Sequence, residues 1–354
     1  LLTLKVLMIL KKKLRKNESS IMIIGVGAIG KRHLQSLIKI KGRVHLYLVD
    51  PILNFKKNNE LYKFLGIGKI KSNKKIFIYK KIEDWTNKDF VLDLCIIATT
   101  SDVRFSIFNK VMNFVSTKNI ILEKFLFNKI NDYYKALKIC SKKQITIYVN
   151  QWMRESLKLR KILSKYRSNK LDFKVSGVEW GMACNIMHFV DLVRHFKVKN
   201  SYVPYVRKAN LSPMIRNARR NKFFEIYGDI EIKYGSHNLY ISCTESKFAT
   251  GSAPDGIDVE IKARDHKKKL IKLNLKPGLV KGVENIDGNV RYFTSKIELM
   301  SELSSKIFIN LKNYRKVYLP SLNNSINQHL PICKLFSKHF EKNIKTKKGL
   351  CPVT

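Results

Sequence analysis

Acidic side chains are scarce in this chain of 354 residues: 27 Asp and Glu stand against 69 Lys and Arg, a formal net charge of +42. Such an excess invites a nucleic-acid reading, because polyanions seek basic surfaces. The distribution argues against it. The excess is mostly Lys, spread along the whole chain and mixed with Ile and Asn, as a coding bias toward A and T produces. A nucleic-acid surface gathers Arg and aromatic residues into one patch. The charge suits anionic small molecules, drawn by long-range attraction.

Cysteine is sparse and unpatterned. Cys95, Cys140, Cys184, Cys243, Cys333 and Cys351 form no C-x-x-C pair, which argues against a disulfide framework or a zinc site and suits free thiols in a reducing cytoplasm. Long apolar runs are missing too. Leu1–Leu10 contains Lys5 and is too short to span a bilayer, and no small-residue cleavage site follows it, so neither a membrane span nor a signal peptide is expected. Residues 1–19, with the basic run Lys11–Lys16, read as a solvated extension. There is no internal repeat and no low-complexity linker.

What is present is a strand, a glycine loop and a helix in register. Ile21–Ile24 is an apolar, β-branched run of the kind that forms a buried parallel strand. Gly25, Gly27 and Gly30 follow in G-x-G-x-x-G spacing, and Leu34, Leu37 and Ile38 then recur at helical spacing. Gly25 permits the tight turn, Gly27 lets backbone approach a pyrophosphate, and Gly30 lets helix and strand pack closely. The N–H groups around Ala28 and Ile29 open the helix toward phosphate. The next strand, Val44–Val49, ends in Asp50, placed where a carboxylate binds a ribose 2′-OH and repels a 2′-phosphate. A bare glycine turn would need none of this register. The expectation is NAD, in preference to NADP.

Strands and helices then alternate. Asn54–Phe64 reads as a helix, Ile76–Tyr79 as a strand and Leu92–Ala98 as a buried strand with exit loop Thr99, Thr100, Ser101. Phe105–Phe114 reads as a helix, Ile120–Leu122 as a strand ended by Glu123 and Lys124, Tyr133–Cys140 as a helix and Ile145–Val149 as a strand ended by Asn150. This predicts a Rossmann-type, doubly wound parallel sheet over residues 20–150, with ligands at the carboxyl ends of its strands. Beyond it the pattern changes. A helix Leu157–Tyr166, a strand Leu171–Trp180, a loop Gly181–Cys184 and a helix Asn185–Phe196 precede strands at Phe223–Ile232, His237–Thr244, Val259–Ile261 and Lys269–Leu273. An α+β domain with an open, largely antiparallel sheet is expected over 151–354, closed by a helix Leu319–Phe340.

Several residues have types and positions that suit chemistry. The Lys124 ammonium at a strand exit can hold a substrate hydroxyl and stabilise charge developing on its oxygen, although a surface Lys is common here. His188 and Asp191 share a helix face, and the imidazole can exchange a proton with a hydroxyl, or be a core histidine satisfied by Asp191. No third ligand suggests a metal. Arg154 and Asn150, just past the last Rossmann strand, can bind a sugar or phosphate or serve the domain junction. His33 reads as structural.

Taken together, Gly25-Val-Gly-Ala-Ile-Gly with His33, Ala98-Thr-Thr, Glu123-Lys124, His188-x-x-Asp191, Leu319-Pro-Ser-Leu and Gln328-His329 resemble the glucose–fructose oxidoreductase, inositol dehydrogenase and MocA (Gfo/Idh/MocA) family over nearly all of residues 20–340. The resemblance implies an NAD(P) domain, a C-terminal domain with an open sheet, and oxidation or reduction of sugars and cyclitols. It maps the active-site lysine onto Lys124, with Phe125 in place of proline, and the active-site histidine onto His188. The acid four residues before that histidine maps onto Cys184, followed by Asn185, and a glycine maps onto Ile186, so the proton relay is altered.

The expectation is a cytoplasmic, homo-oligomeric, NAD-dependent oxidoreductase; the resemblance implies a sugar or nucleotide-sugar carbinol as its substrate, and the altered relay is similar to that of family members in surface-polysaccharide biosynthesis. Lys124 and His188 are expected as catalytic residues facing each other across the domain cleft, with Asp191 orienting His188 or capping local structure. Arg154, Asn150, Asp191, Cys184 and Asn185 are expected around the substrate. Gly25, Gly27, Ala28, Ile29, Gly30, Asp50, Thr99, Thr100, Ser101 and Glu123 are expected around the cofactor. A non-catalytic NAD-binding relative, motivated by Cys184, is the alternative.

Overall fold

The structure, a computed structural model, describes residues 18–53, 58–66, 73–87, 89–141, 145–166, 170–196, 202–246, 256–264 and 269–354. The basic run at 11–16 and the expected start of a helix at 54–57 lie outside them.

The first sheet forms where the apolar runs predicted strands. β1 (Glu18–Ile24), β2 (Arg43–Val49), β3 (Lys74–Tyr79), β4 (Leu94–Ile97), β5 (Asn119–Leu122) and β6 (Thr146–Val149) lie in the order β3-β2-β1-β4-β5-β6. The ladders β1–β2, β1–β4, β2–β3 and β4–β5 are parallel. Order reverses at β1, where the chain goes first to one side and then to the other, so the glycine loop after β1 stands at the switch point of a doubly wound sheet. Helices α1 (Ala28–Leu37), α2 (Asn58–Leu65), α3 (Ser101–Phe114) and α4 (Ile130–Cys140) alternate with the strands. Ile21, Ile23, Leu46, Leu48, Leu94 and Ile96 have no exposed surface, the continuous burial that a sheet covered on both faces requires. Two expectations are corrected here. α3 starts at Ser101, not at Phe105, so Ser101 is the first helical residue rather than loop. Its N-cap Thr100 makes no side-chain capping bond, so the local capping signature is weak.

The second sheet has eight strands in the order β14-β13-β12-β11-β7-β10-β9-β8: β7 (Leu171–Ser176), β8 (Tyr205–Asn217), β9 (Phe224–Tyr234), β10 (His237–Cys243), β11 (Ile257–Ala263), β12 (Lys269–Lys276), β13 (Leu279–Ile286) and β14 (Asn289–Lys296). Among the described residues the β7–β10 ladder is parallel and the other ladders of this sheet are antiparallel. Alternate residues of β10, His237, Leu239, Ile241 and Cys243, are buried, which is the period of a sheet covered on one face. Helices α5 (Leu157–Leu163), α6 (Met182–Leu192) and, near the end, α8 (Leu322–Ile344) accompany this sheet, while α7 (Met300–Lys312) follows β14. Ser156 caps α5 by accepting the Leu159 N–H, and Ser321 caps α8 by accepting the Asn324 N–H, both at 3.3 Å. Such caps are worth about 1 kcal/mol each.

Sequence periodicity missed four elements. β8 contains Pro213 and two register shifts, and it is an edge strand, where a missing N–H is tolerated. β13 and β14 form a hairpin through Asp287-Gly288, both at positive φ, a two-residue turn signal legible in the sequence but not used. α7 was missed as well. The expected loop Gly181–Cys184 is also corrected: only Gly181, at φ +70°, is outside the helix, and Met182–Cys184 form the first turn of α6.

The described residues fall into two compact units. One takes the chain to Glu123, with Ile139–Tyr148 and Met300–Val317. Within it α1 packs on α7, and Ser36 accepts the Ser305 N–H at 2.9 Å. The other takes Lys124–Lys138, Val149–Leu299 and Tyr318–Thr354. Among the described residues no helix is long and apolar enough to cross a membrane.

Candidate functional site

In the first unit the three glycines are used in three ways. Gly25 turns the chain at φ +84°, and a Cβ there would lie 2.8 Å from the Thr99 nitrogen. A Cβ on Gly30 would lie 2.0 Å from the Gly25 carbonyl oxygen, so the helix approaches the loop as closely as only glycine permits. A Cβ on Gly27 would meet nothing within 4 Å. Gly27 and Ala28 are exposed, no side chain caps α1, and its first turn holds no acid. The N–H groups around Ala28 and Ile29 are thus left without a capping side chain, the condition under which a helix end can take an anion.

Asp50 belongs to this loop. Its Oδ2 accepts the Val26 N–H at 2.7 Å and its Oδ1 the Ile52 N–H at 2.9 Å, which fixes the carboxylate beside the glycines. The buried Thr99 hydroxyl has no partner among the described residues. An open Gly27, a free helix end, a fixed carboxylate and an unsatisfied hydroxyl fit a dinucleotide. Glu123 stands differently from the expectation: it is buried and accepts from His33 Nε2 at 2.8 Å, while His33 Nδ1 lies 2.7 Å from Ser304 Oγ. The two units divide between Glu123 and Lys124.

Lys124 belongs to the second unit, together with His188, which corrects the expectation that the two residues come from opposite domains. The Lys124–Phe125 peptide bond is cis. Lys124 Nζ donates to the Cys184 carbonyl at 3.0 Å, lies 3.0 Å from Cys184 Sγ and reaches Asn185 Oδ1 at 3.4 Å. Asn185 Nδ2 in turn donates to the Trp180 carbonyl at 3.0 Å. His188 follows on α6, buried, its ring edge-on to Trp152. Its Nδ1 has no hydrogen-bond partner among the described residues. Burial, then the positive charge of Lys124, then His329 hold the imidazole well below its usual pKa, so it is neutral near pH 7 and can accept a proton.

Glu225, on β9, was not anticipated. Its Oε2 accepts the Ala183 N–H at 3.1 Å, and burial pushes its carboxyl up to about 7 against the opposing effects of Ala183, Lys124 and Cys184. This contact explains why Met182–Cys184 is helical although it reads as loop: the helix N-terminus is capped from a strand some forty residues away (183 to 225). No local sequence signal announces such a cap.

Asp191 does not orient His188. Its carboxylate takes a bidentate pair from Arg154, Nε at 2.6 Å and a terminal nitrogen at 2.9 Å, and a third bond from Gln328 Nε2 at 3.1 Å. No hydrogen bond joins it to His188. Gln151 Nε2 donates to the Met187 carbonyl at 2.7 Å and to Gln328 Oε1 at 2.9 Å, and the Ser325 hydroxyl donates to Gln151 Oε1 at 2.7 Å. Arg154 and Asp191 are thus engaged with each other, and Asn150 is buried at 2% exposure. Gln151 and Ser325 were missed because their partners come from distant segments.

A doubly wound nucleotide-type sheet followed in the chain by an open, mostly antiparallel sheet is the architecture of Gfo/Idh/MocA-type oxidoreductases, and solved structures of that type match nearly the full chain. UDP-N-acetylglucosamine 3-dehydrogenase GnnA from Acidithiobacillus ferrooxidans matches at TM-score 0.61 and 10% identity, over 89% of this chain and 95% of that one. A 3-ketoreductase from Actinomadura kijaniata, solved with TDP-benzene and NADP, matches at TM-score 0.61 and 10% identity, over 88% and 95%. The transcriptional regulator Gal80p from Kluyveromyces lactis matches at TM-score 0.63 and 11% identity, over 93% of each chain. At these identities the likeness is one of fold. No protein-family model matches the sequence, and no curated protein matches it.

Proposed function

We propose that the protein is a nicotinamide-dependent oxidoreductase acting on a sugar or nucleotide-sugar carbinol. The observation that carries this reading is the loop at Gly25, Gly27 and Gly30 beside Asp50: open where a pyrophosphate would approach, closed where helix and strand must meet, and bordered by a fixed carboxylate. Gly25–Gly30, Asp50 and Thr99–Ser101 would hold the dinucleotide, and Asp50 favours NAD. When bound, a nicotinamide supplies or accepts hydride. Lys124 would bind the substrate oxygen and stabilise its developing negative charge. His188, neutral because it is buried beside Lys124, would take the hydroxyl proton. Structures of the same fold include a nucleotide-sugar dehydrogenase and a reductase bound to a TDP ligand, and the excess of Lys favours anionic substrates. The test is titration with NADH and NADPH followed by turnover of a panel of UDP- and TDP-sugars. Failure to bind either dinucleotide would end the proposal.

A second reading has its own support. Cys184 stands where the resemblance implies an acid, and a transcriptional regulator shares the fold. A protein that binds NAD without turning over any sugar would be read as a cofactor-sensing relative.

A further inference from the structure

The first turn of α6 holds no acidic residue of its own. Its carboxylate comes from β9. Glu225 Oε2 accepts the Ala183 N–H at 3.1 Å, and the Cys184 N–H and the Lys124 ammonium both favour the ionised carboxylate. The same turn offers Lys124 the Cys184 carbonyl and sulfur, each at 3.0 Å. Gly181, at φ +70°, turns the chain into the helix just before this contact. A neutral amide or a serine would cap this helix without bringing a charge into a buried site. A carboxylate so placed pins the turn that holds Lys124, and the Lys124 charge in turn favours its ionised form.

We propose that Glu225 is a positioning residue for the Lys124–His188 pair, acting through the first turn of α6 and through its charge opposite Lys124. The inference rests on the oxidoreductase reading only in assigning that pair to the reaction. The groups that face Glu225 are the Ala183 and Cys184 amides of α6, Lys124 after β5, Cys243 on β10 and Tyr227 on its own strand. Burial holds Cys243 at about 11 and Tyr227 at about 12, so both are neutral where Glu225 titrates, at about 7. Lys124 is then the charge opposite it. His188 titrates well below its usual range. An activity limb near neutrality, which a buried histidine would ordinarily explain, belongs here to Glu225.

The sign follows from linkage. A carboxyl raised above its unfolded value stabilises the fold when protonated, and this contribution is lost as pH rises through about 7. The first test needs no substrate: melting of the full-length parent, Glu225→Gln, Lys124→Met and the double variant, from about pH 5 to about pH 9. Glu225→Gln should remove a fall in melting temperature that runs up to about pH 7 and levels off above it. Above that pH the two substitutions should be non-additive, because each removes the partner of the other. Additivity at every pH, or the same fall in Glu225→Gln, overturns the proposal. The second test follows NAD-dependent turnover of UDP- and TDP-sugars. Glu225→Gln should lose roughly tenfold or more and lose its limb near pH 7. Adding Cys184→Asp, whose carboxylate would replace a sulfur already 3.0 Å from Lys124, should restore turnover. A loss that Cys184→Asp does not restore counts against positioning. If no form of the protein turns over any sugar, the oxidoreductase reading falls, and the melting cycle alone decides on Glu225.

Discussion

Lys124 Nζ lies 3.0 Å from Cys184 Sγ and 3.0 Å from the carbonyl oxygen of the same residue. A lysine and a cysteine sixty positions apart in the chain (124 to 184) thus share one site with His188, one turn further along α6. In this arrangement the lysine is held by backbone and sulfur.

Loss of Lys124 should lower turnover more than substrate binding, because charge on the substrate oxygen grows only toward the transition state. Lys124→Ala is expected to reduce kcat by about 100-fold or more with little change in KM, and His188→Ala to act likewise. Steady-state kinetics on an accepted nucleotide-sugar reads both. A Lys124→Ala variant as active as the parent would remove Lys124 from the reaction.

The glycines should separate binding from folding. Gly27→Val places a side chain in open space and should abolish dinucleotide binding while the melting temperature holds. Gly30→Ala forces a methyl against the Gly25 carbonyl and should cost roughly 3 kcal/mol of stability. Fluorescence titration with NADH and thermal melting on both variants check this. Full affinity in Gly27→Val would leave the loop a turn and nothing more.

Asp50 should make NADH bind more tightly than NADPH, since a carboxylate repels a 2′-phosphate. Asp50→Ala should narrow the difference. It should also cost about 1 kcal/mol of stability, because the Val26 N–H loses its acceptor. Parallel titrations with the two dinucleotides decide the matter, and equal affinity in the parent would overturn it.

Arg154→Met should be among the most destabilising single substitutions. It leaves the Asp191 carboxylate, which has no exposed surface, without its bidentate cation, a loss of about 3–5 kcal/mol. Replacing both residues by apolar ones should recover much of that. Chemical denaturation measures each step.

His188 should make the fold sensitive to mild acid. Its folded-state pKa is depressed below 6.5, so its contribution is fully present above 6.5 and is lost as pH falls toward the folded value. Between about pH 7 and about pH 5 the parent should lose more stability than His188→Asn. Parallel slopes for the two proteins would show that the imidazole charges freely in the folded state.

The parallel-sheet half of the protein was largely legible in the sequence because its determinants are local. A strand, three glycines, a helix and an acid follow one another within thirty residues or so (21 to 50), and each must be where it is for backbone reasons that periodicity and glycine spacing express. The alternating strands likewise announced the parallel sheet. The second site was legible only in its parts. Lys124 and His188 could be picked out by type and position, but the sequence assigned Asp191 to His188, whereas tertiary structure gives it to Arg154 and Gln328. Met182–Cys184 reads as loop because its cap, Glu225, arrives from a strand that only folding brings near. Hydrophobic pattern fixes which face of an element is buried. Which polar groups then satisfy one another is decided by packing, since a buried carboxylate or helix end must find a partner wherever in the chain one stands.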